Sequence, residues 1–243
     1  MAIQICAVGG FGEVGKNMTA VKVDDEVVIF DMGIHLPNFI KHTEEEEGNV
    51  VKLSAAELIA VKAIPDDSLI EDWRKHVVAI VPSHAHLDHI GAIPYLAPHY
   101  KCPIYGTPFT SALVKKLLED DKITIANEII SVPVDGKIKI SKTLSVEFIN
   151  MTHSTPHTAM VVLHTPYGRV LYGNDFKLAN APTLGKKPNY SALERASPVK
   201  VAIIDSLYAH HHGKTPSESI AKEMLRDTML GVDFTGKAVF DTT

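Results

Sequence analysis

His84-Ala85-His86-Leu87-Asp88-His89 places three imidazoles and a carboxylate within six residues, directly after the apolar run Val77-Val78-Ala79-Ile80-Val81. Such a run reads as a buried strand. Gly91 and a helix-like stretch follow it. His84 and His86 are two apart, so on extended backbone their side chains point the same way. Asp88 and His89 fall where the chain turns into the next element and can reach a second point nearby. One ion held by imidazoles beside another held by imidazole and carboxylate is the two-metal arrangement, with ions roughly 3.5–4 Å apart. A polar turn with scattered histidines is the bland alternative, and the density of ligand-type residues argues against it.

The rest of the chain is ordinary by comparison. Its 243 residues suffice for one large domain or two small ones. Hydrophobic residues make up 45% and charged residues 22%, which permits a sizeable core. The net charge of −5 excludes a global basic footprint for nucleic acid, though not a local basic groove. Cys6 and Cys102 sit in apolar stretches outside any CxxC and read as buried thiols rather than a disulfide framework. The amino terminus lacks a basic n-region, and no apolar run reaches the ~18 residues of a membrane span, so a cytoplasmic protein without membrane association is expected.

Periodicity predicts strands over 2–8, 18–24 and 27–31, the last two joined at Asp24-Asp25-Glu26. Residues 35–76, with the acidic run Glu44-Glu45-Glu46-Glu47, read as irregular. Helices are expected over 89–97 and 107–120, short strands within 129–150, a hairpin from 159–164 and 169–173, and a strand over 200–204. A helix over 215–230 would take Thr215 as N-cap, Pro216 as its first residue and Glu218 at the capping-box position, with a further strand opening at 238–240. Gly9-Gly10-Phe11-Gly12-Glu13-Val14-Gly15 forms a glycine-rich turn. A dinucleotide fingerprint does not fit it, because the third glycine is misplaced and a strand follows. Asp31, His84, His153, Asp175 and Asp205 each lie just past an apolar run, and strand ends along one sheet edge converge in space.

The motif HxHxDH, here His84, His86, Asp88 and His89, resembles the mark of the metallo-β-lactamase superfamily. The glycine-rich opening through Lys16-Asn17-Met18, Thr152-His153-Ser154-Thr155-Pro156, Gly173-Asn174-Asp175-Phe176-Lys177, Ala202-Ile203-Ile204-Asp205-Ser206 and Thr215-Pro216-Ser217-Glu218 narrow the resemblance. They are similar to the ribonuclease J family of the β-CASP branch, over nearly the whole chain apart from 35–76. The resemblance implies an αββα sandwich of two mixed sheets with helices outside. It also implies two zinc ions, with manganese the other metal that imidazole and carboxylate suit. His84, His86 and His153 would hold one ion, Asp88 and His89 the other, and Asp175 would bridge them. Asp31 would orient the ligand loop from behind. Asp88 and Asp205 are the acids given a part in catalysis, Asp205 by orienting a histidine that acts as general acid. Ser154 and Lys177 could touch a phosphate, although a loop-capping hydroxyl and a solvated lysine are the plainer roles.

The activity so implied is metal-dependent hydrolysis of single-stranded RNA, from the 5′ end or internally, with the longer protein expected as a homodimer. The family inserts its β-CASP domain late in the metallo-β-lactamase domain and then returns, bringing a further ligand histidine and the general acid. Residues 1–235 would be the metallo-β-lactamase portion, and 236–243 the opening of the inserted domain. The portion up to Thr243 is expected to leave the second ion one ligand short and Asp205 without its partner. Two other readings compete: a small-molecule hydrolase of the same superfamily, such as a glyoxalase-II-like thioesterase or lactamase, and a non-catalytic RNA-binding subunit. His157, four after His153, reads as a loop residue near the site because Pro156 intervenes. His210-His211-His212 reads as a polar surface loop and Trp73 as a packing residue.

Overall fold

The alternation of apolar residues along the strands is what pairs the two sheets. In the computed structural model, described for residues 2–43 and 51–231, one sheet has the order β1-β2-β3-β4-β5-β6. Its strands are β1 (Ile3–Gly9), β2 (Met18–Val23), β3 (Glu26–Phe30), β4 (Val77–Val81), β5 (Ile104–Gly106) and β6 (Ile129–Ser131). β1 to β3 run antiparallel and β3 to β6 parallel. The second sheet has the order β11-β10-β9-β8-β7, from β7 (Lys137–Lys139), β8 (Ser145–Asn150), β9 (Ala159–Thr165), β10 (Gly168–Gly173) and β11 (Val201–Ile204). Only β10 and β11 pair in parallel there.

Val21, Val23, Val28, Phe30, Ala79 and Val81 project from the first sheet into the core between the sheets. Val146, Phe148, Val161, Leu163, Val170 and Tyr172 meet them from the second. Every one is spaced by two from a partner on its own strand, as the pleat requires. The residues between them, such as Ala20, Val27, Ile29 and Ile80, are also buried, in a second cluster on the outer face of the first sheet. Strands covered on both faces read as continuous apolar runs, which is why β3 and β4 are so hydrophobic. Helices α1 (Leu36–Thr43), α2 (Ala55–Ala60), α3 (Leu87–Ile90), α4 (Ile93–Leu96) and α5 (Pro108–Asp120) contribute to that outer face. On the far side of the second sheet, α6 (Tyr190–Ala196) packs Ala192 and Ala196 on Ile149 and Val162. The layers are helix, sheet, sheet, helix, as expected.

Several local expectations are corrected. Residues 35–76 are not irregular where described: they hold α1, α2 and a 3₁₀ stretch, Asp67–His76. The Ser54 hydroxyl takes the Glu57 N–H at 3.3 Å while the Glu57 carboxylate takes the Ser54 N–H at 2.8 Å, a capping box that starts α2. The helix expected over 89–97 begins at Leu87 and breaks at Gly91-Ala92 into α3 and α4. α7 (Glu218–Gly231) starts two residues after the expected first residue, Pro216. Ser217, not Thr215, offers its hydroxyl to an early helical N–H, that of Ile220 at 3.4 Å, and the Glu218 carboxylate is drawn off by the Thr183 N–H at 2.8 Å. Cys102 is buried, its thiol pushed up to about 12 by burial, but Cys6 is only half-buried. Trp73 packs against the helical side of the first sheet, with the Lys22 ammonium over its ring. Glu44–Glu47 and residues 232–243 lie outside the described residues. No described helix is long and apolar enough to cross a membrane.

Phe148 is fully buried at the centre of the inter-sheet core. Truncating a buried Phe to Ala costs about 3–5 kcal/mol, so Phe148→Ala should lower the urea midpoint by that free energy divided by an unchanged m-value.

Candidate metal centre

The ends of β3, β4, β8 and β10 deliver the site. Asp31 follows β3, His84 and His86 lie on the β4–α3 loop, and Asp88 and His89 are in α3. His153 lies beyond β8 and Asp175 beyond β10. Asp31 and Asp175 adopt left-handed backbone, φ 57° and 48°, which Asp tolerates better than most residues.

Ligand atoms converge in two overlapping groups, each with all its atoms within 4.8 Å of one another: His84, His86, His153 and Asp175; and Asp88, His89 and Asp175. In the first, His84 Nε2 and His153 Nε2 each lie 3.1 Å from His86 Nδ1. Asp175 Oδ2 is 3.8 Å from His84 Nε2 and 3.7 Å from His153 Nε2. In the second, His89 Nε2 is 3.3 Å from both Asp88 Oδ2 and Asp175 Oδ2. Tetrahedral ligands at 2.0–2.1 Å from an ion stand roughly 3.3 Å apart. The observed spacings bracket that value, so both groups fit a small divalent ion.

The outward ring nitrogens support the same reading. Asp31 is fully buried and accepts four bonds: from the Ser83 N–H at 2.7 Å, the Ser83 hydroxyl at 3.0 Å, His89 Nδ1 at 2.8 Å and the Tyr172 hydroxyl at 2.7 Å. Because Ser83 gives its proton to Asp31, its oxygen is free to accept from His84 Nδ1 at 3.0 Å. His86 Nε2 lies 3.2 Å from Ser154 Oγ. In each of the three rings an outward nitrogen thus meets an oxygen, the kind of outer partner that sets which nitrogen would face a metal.

Burial, with the neighbouring imidazoles, holds His84 well below the usual histidine range. Burial also lowers His86 and His153, against the pull of nearby carboxylates. Burial acts the same way on His89, but Asp31, with help from Asp175 and Asp88, outweighs it and raises His89 well above that range. Burial acts to raise Asp88 and Asp175, and their bonds to His89 overturn it, so both carboxyls stay low.

The other named residues fall outside these groups. Asp205 is exposed and caps its own turn, accepting the Leu207 N–H at 2.9 Å. It does share with Asp88 and Asp175 a cavity of about 440 Å³, walled by the glycine-rich loop and the end of β11. Ser154 braces His86, and the Lys177 ammonium donates to the Pro216 carbonyl at 2.7 Å. His157 caps α5, its Nδ1 accepting the Phe109 N–H at 3.2 Å. His210, His211 and His212 are exposed and join neither group of ligand atoms.

A family model described as the metallo-beta-lactamase superfamily matches residues 11–227. This chain belongs to the metallo-β-lactamase superfamily. Among curated members it is 42% identical to "Ribonuclease J" of Methanocaldococcus jannaschii, over all of this chain and 54% of the relative. It is 43% identical to "Ribonuclease J" of Pyrococcus abyssi, over 94% of this chain and 50% of the relative. The chain thus spans about half the length of these relatives. A crystal structure of a protein of unknown function from Enterococcus faecalis V583 shares the fold, with a TM-score of 0.66 at 19% identity, over 94% of this chain and 57% of that one.

Sequence reasoning did not single out Ser83, Tyr172 or Asn17. Ser83 and Tyr172 adjoin motif residues, and that adjacency was the signal available. The superfamily's ligand loop here leans on Tyr172, which stacks on Phe30 at 4.9 Å and is held well above the tyrosine range by burial and by Asp31. Tyr172→Phe keeps that stack but strips Asp31 and Asn174 of a partner. A hydrogen bond to a charged group contributes about 1.5–3 kcal/mol, to be read as lost stability in urea unfolding.

Proposed function

We propose that this chain carries the metal centre of a ribonuclease J-type enzyme that hydrolyses phosphodiester bonds of single-stranded RNA with two zinc or manganese ions. The observation that carries the reading is the convergence of His84, His86, His153, Asp88, His89 and Asp175 on two adjoining points, with outward ring nitrogens meeting oxygen. The similarity to two archaeal proteins named ribonuclease J supports RNA as the substrate class. In this reading His84, His86 and His153 hold the first ion, Asp88 and His89 the second, and Asp175 both. Bound together, such ions activate water and neutralise charge on an attacked phosphodiester.

The chain's own residues do the rest. Asp31 fixes the direction of His89 and, through Ser83, of His84. The Asp205 carboxylate opens on the shared cavity, and among the described residues only the Leu207 N–H bonds to it. In this reading Asp205, open to the cavity, acts by orienting a proton donor rather than as the acid itself. General-acid help is typically worth 10²–10⁴-fold. Residues 1–243 alone should therefore cleave weakly, and a polypeptide extended to the length of the relatives should cleave well, from the 5′ end.

His86→Ala should lose the first ion and all activity while keeping the wild-type circular dichroism spectrum. Elemental analysis showing full metal content in that variant would refute the ligand set. Assays of the metal-loaded chain and an extended one on 5′-monophosphorylated RNA, a thioester and nitrocefin complete the test. Hydrolysis of either small molecule in preference to RNA would favour the small-molecule hydrolase.

A further inference from the structure

Asn17 belongs neither to the ligand set nor to the Asp31 network, yet it touches two of the three groups that converge on the second ion position. Its Nδ2 lies 3.1 Å from the Asp88 carbonyl oxygen, 3.3 Å from Asp88 Oδ2 and 3.1 Å from His89 Nε2. The main chain makes this approach rigid. The Asn17 N–H donates to the same Asp88 carbonyl at 3.1 Å, and the Asn17 carbonyl accepts the Gly33 N–H at 3.0 Å. Gly33 must be glycine here, since a Cβ would stand 1.4 Å from the Asp88 carbonyl oxygen.

A carboxamide offers two hydrogens, and three acceptors surround them. The two on Asp88 can do nothing but accept. The third, His89 Nε2, can accept only from a neutral ring and is the nitrogen that a cation at this position would take. An ion on His89 thus displaces the amide from His89 and leaves both its hydrogens to Asp88. The two positions differ in how they are braced. His84 leans on Ser83 and His86 on Ser154, whereas the Asp88 carboxylate, 28% exposed, has no side-chain partner but Asn17 and His89 among the described residues.

We infer that Asn17 is a positioning residue for the second ion: it turns the Asp88 carboxylate toward His89 and Asp175 and so sets the affinity of that position alone. The inference rests on the two-ion reading. Loss of an outer partner of a ligand typically weakens metal binding 10–100-fold.

Calorimetric titration of the 243-residue chain with Mn²⁺, alongside the paramagnetic resonance signal of a spin-coupled Mn²⁺ pair, tests it. Asn17→Ala should weaken the second ion 10–100-fold, leave the first unchanged and lose the coupled signal at stoichiometric metal. Asn17→Asp keeps the size of the side chain but has no hydrogen to give Asp88 and sets a second carboxylate against it, so it should lose the coupled signal at stoichiometric metal as Asn17→Ala does. Equal affinity for the second ion in wild type and Asn17→Ala, parallel loss of both ions, or an Asn17→Asp chain that behaves like wild type would each overturn the inference. If circular dichroism shows Asn17→Ala unfolded, Asn17→Asp alone decides by the same criterion. A wild-type chain that binds one ion or none refutes the two-ion reading itself.

Discussion

The buried carboxylate of Asp31 is the constraint on which the rest of the site depends. A carboxylate taken fully out of water costs several kcal/mol unless its lone pairs are filled. Here four donors fill them, and they come from three places: the loop after β4 (Ser83), α3 (His89) and β10 in the opposite sheet (Tyr172). Satisfying one charge therefore fixes the distance between the sheets at this end, the path of the histidine loop and the direction of two imidazoles. The apolar core beneath it, with Phe30 stacked on Tyr172, supplies the rigid floor.

The site's electrostatics follow from the same packing. Crowded imidazoles cannot all be charged, so burial and mutual repulsion keep His84, His86 and His153 in the neutral, ligand form. His89 is the exception, because Asp31, Asp88 and Asp175 surround it. An array of neutral imidazoles beside ionised carboxylates is complementary to divalent cations of borderline softness. Like the Asp31 network, it is a property of strand ends held by a core, which is why loop residues only a few positions apart reach two separate groups of ligand atoms.

The sequence made part of this legible. His84, His86, Asp88 and His89 announced themselves by density, and the apolar runs of β2, β3, β4, β9 and β10 marked strands of both sheets, whose pairing into a sandwich came from the resemblance. Asp31 was marked by its place after β3, and its orienting role by resemblance. What stayed hidden was long-range pairing. Tyr172 and Asp31 are 141 residues apart, and Asn17 and Asp88 71 apart; neither contact has a periodic signature. Short helices were hidden too. α2 carried a capping box in Ser54 and Glu57 but its six residues are too few for a periodic signal, and α6 starts on Asn189, whose side chain takes the Ala192 N–H at 3.1 Å. Lys177 was offered to a phosphate on its motif alone, whereas its amine is tied to the Pro216 carbonyl, a contact set by tertiary placement.

The most direct measurement is anomalous diffraction at the zinc edge from crystals of this chain grown with zinc. Two adjacent peaks are predicted, one among His84, His86 and His153 and the other beside Asp88 and His89, with the Asp175 carboxylate between them. A lone peak, or peaks outside this cluster, would contradict the account.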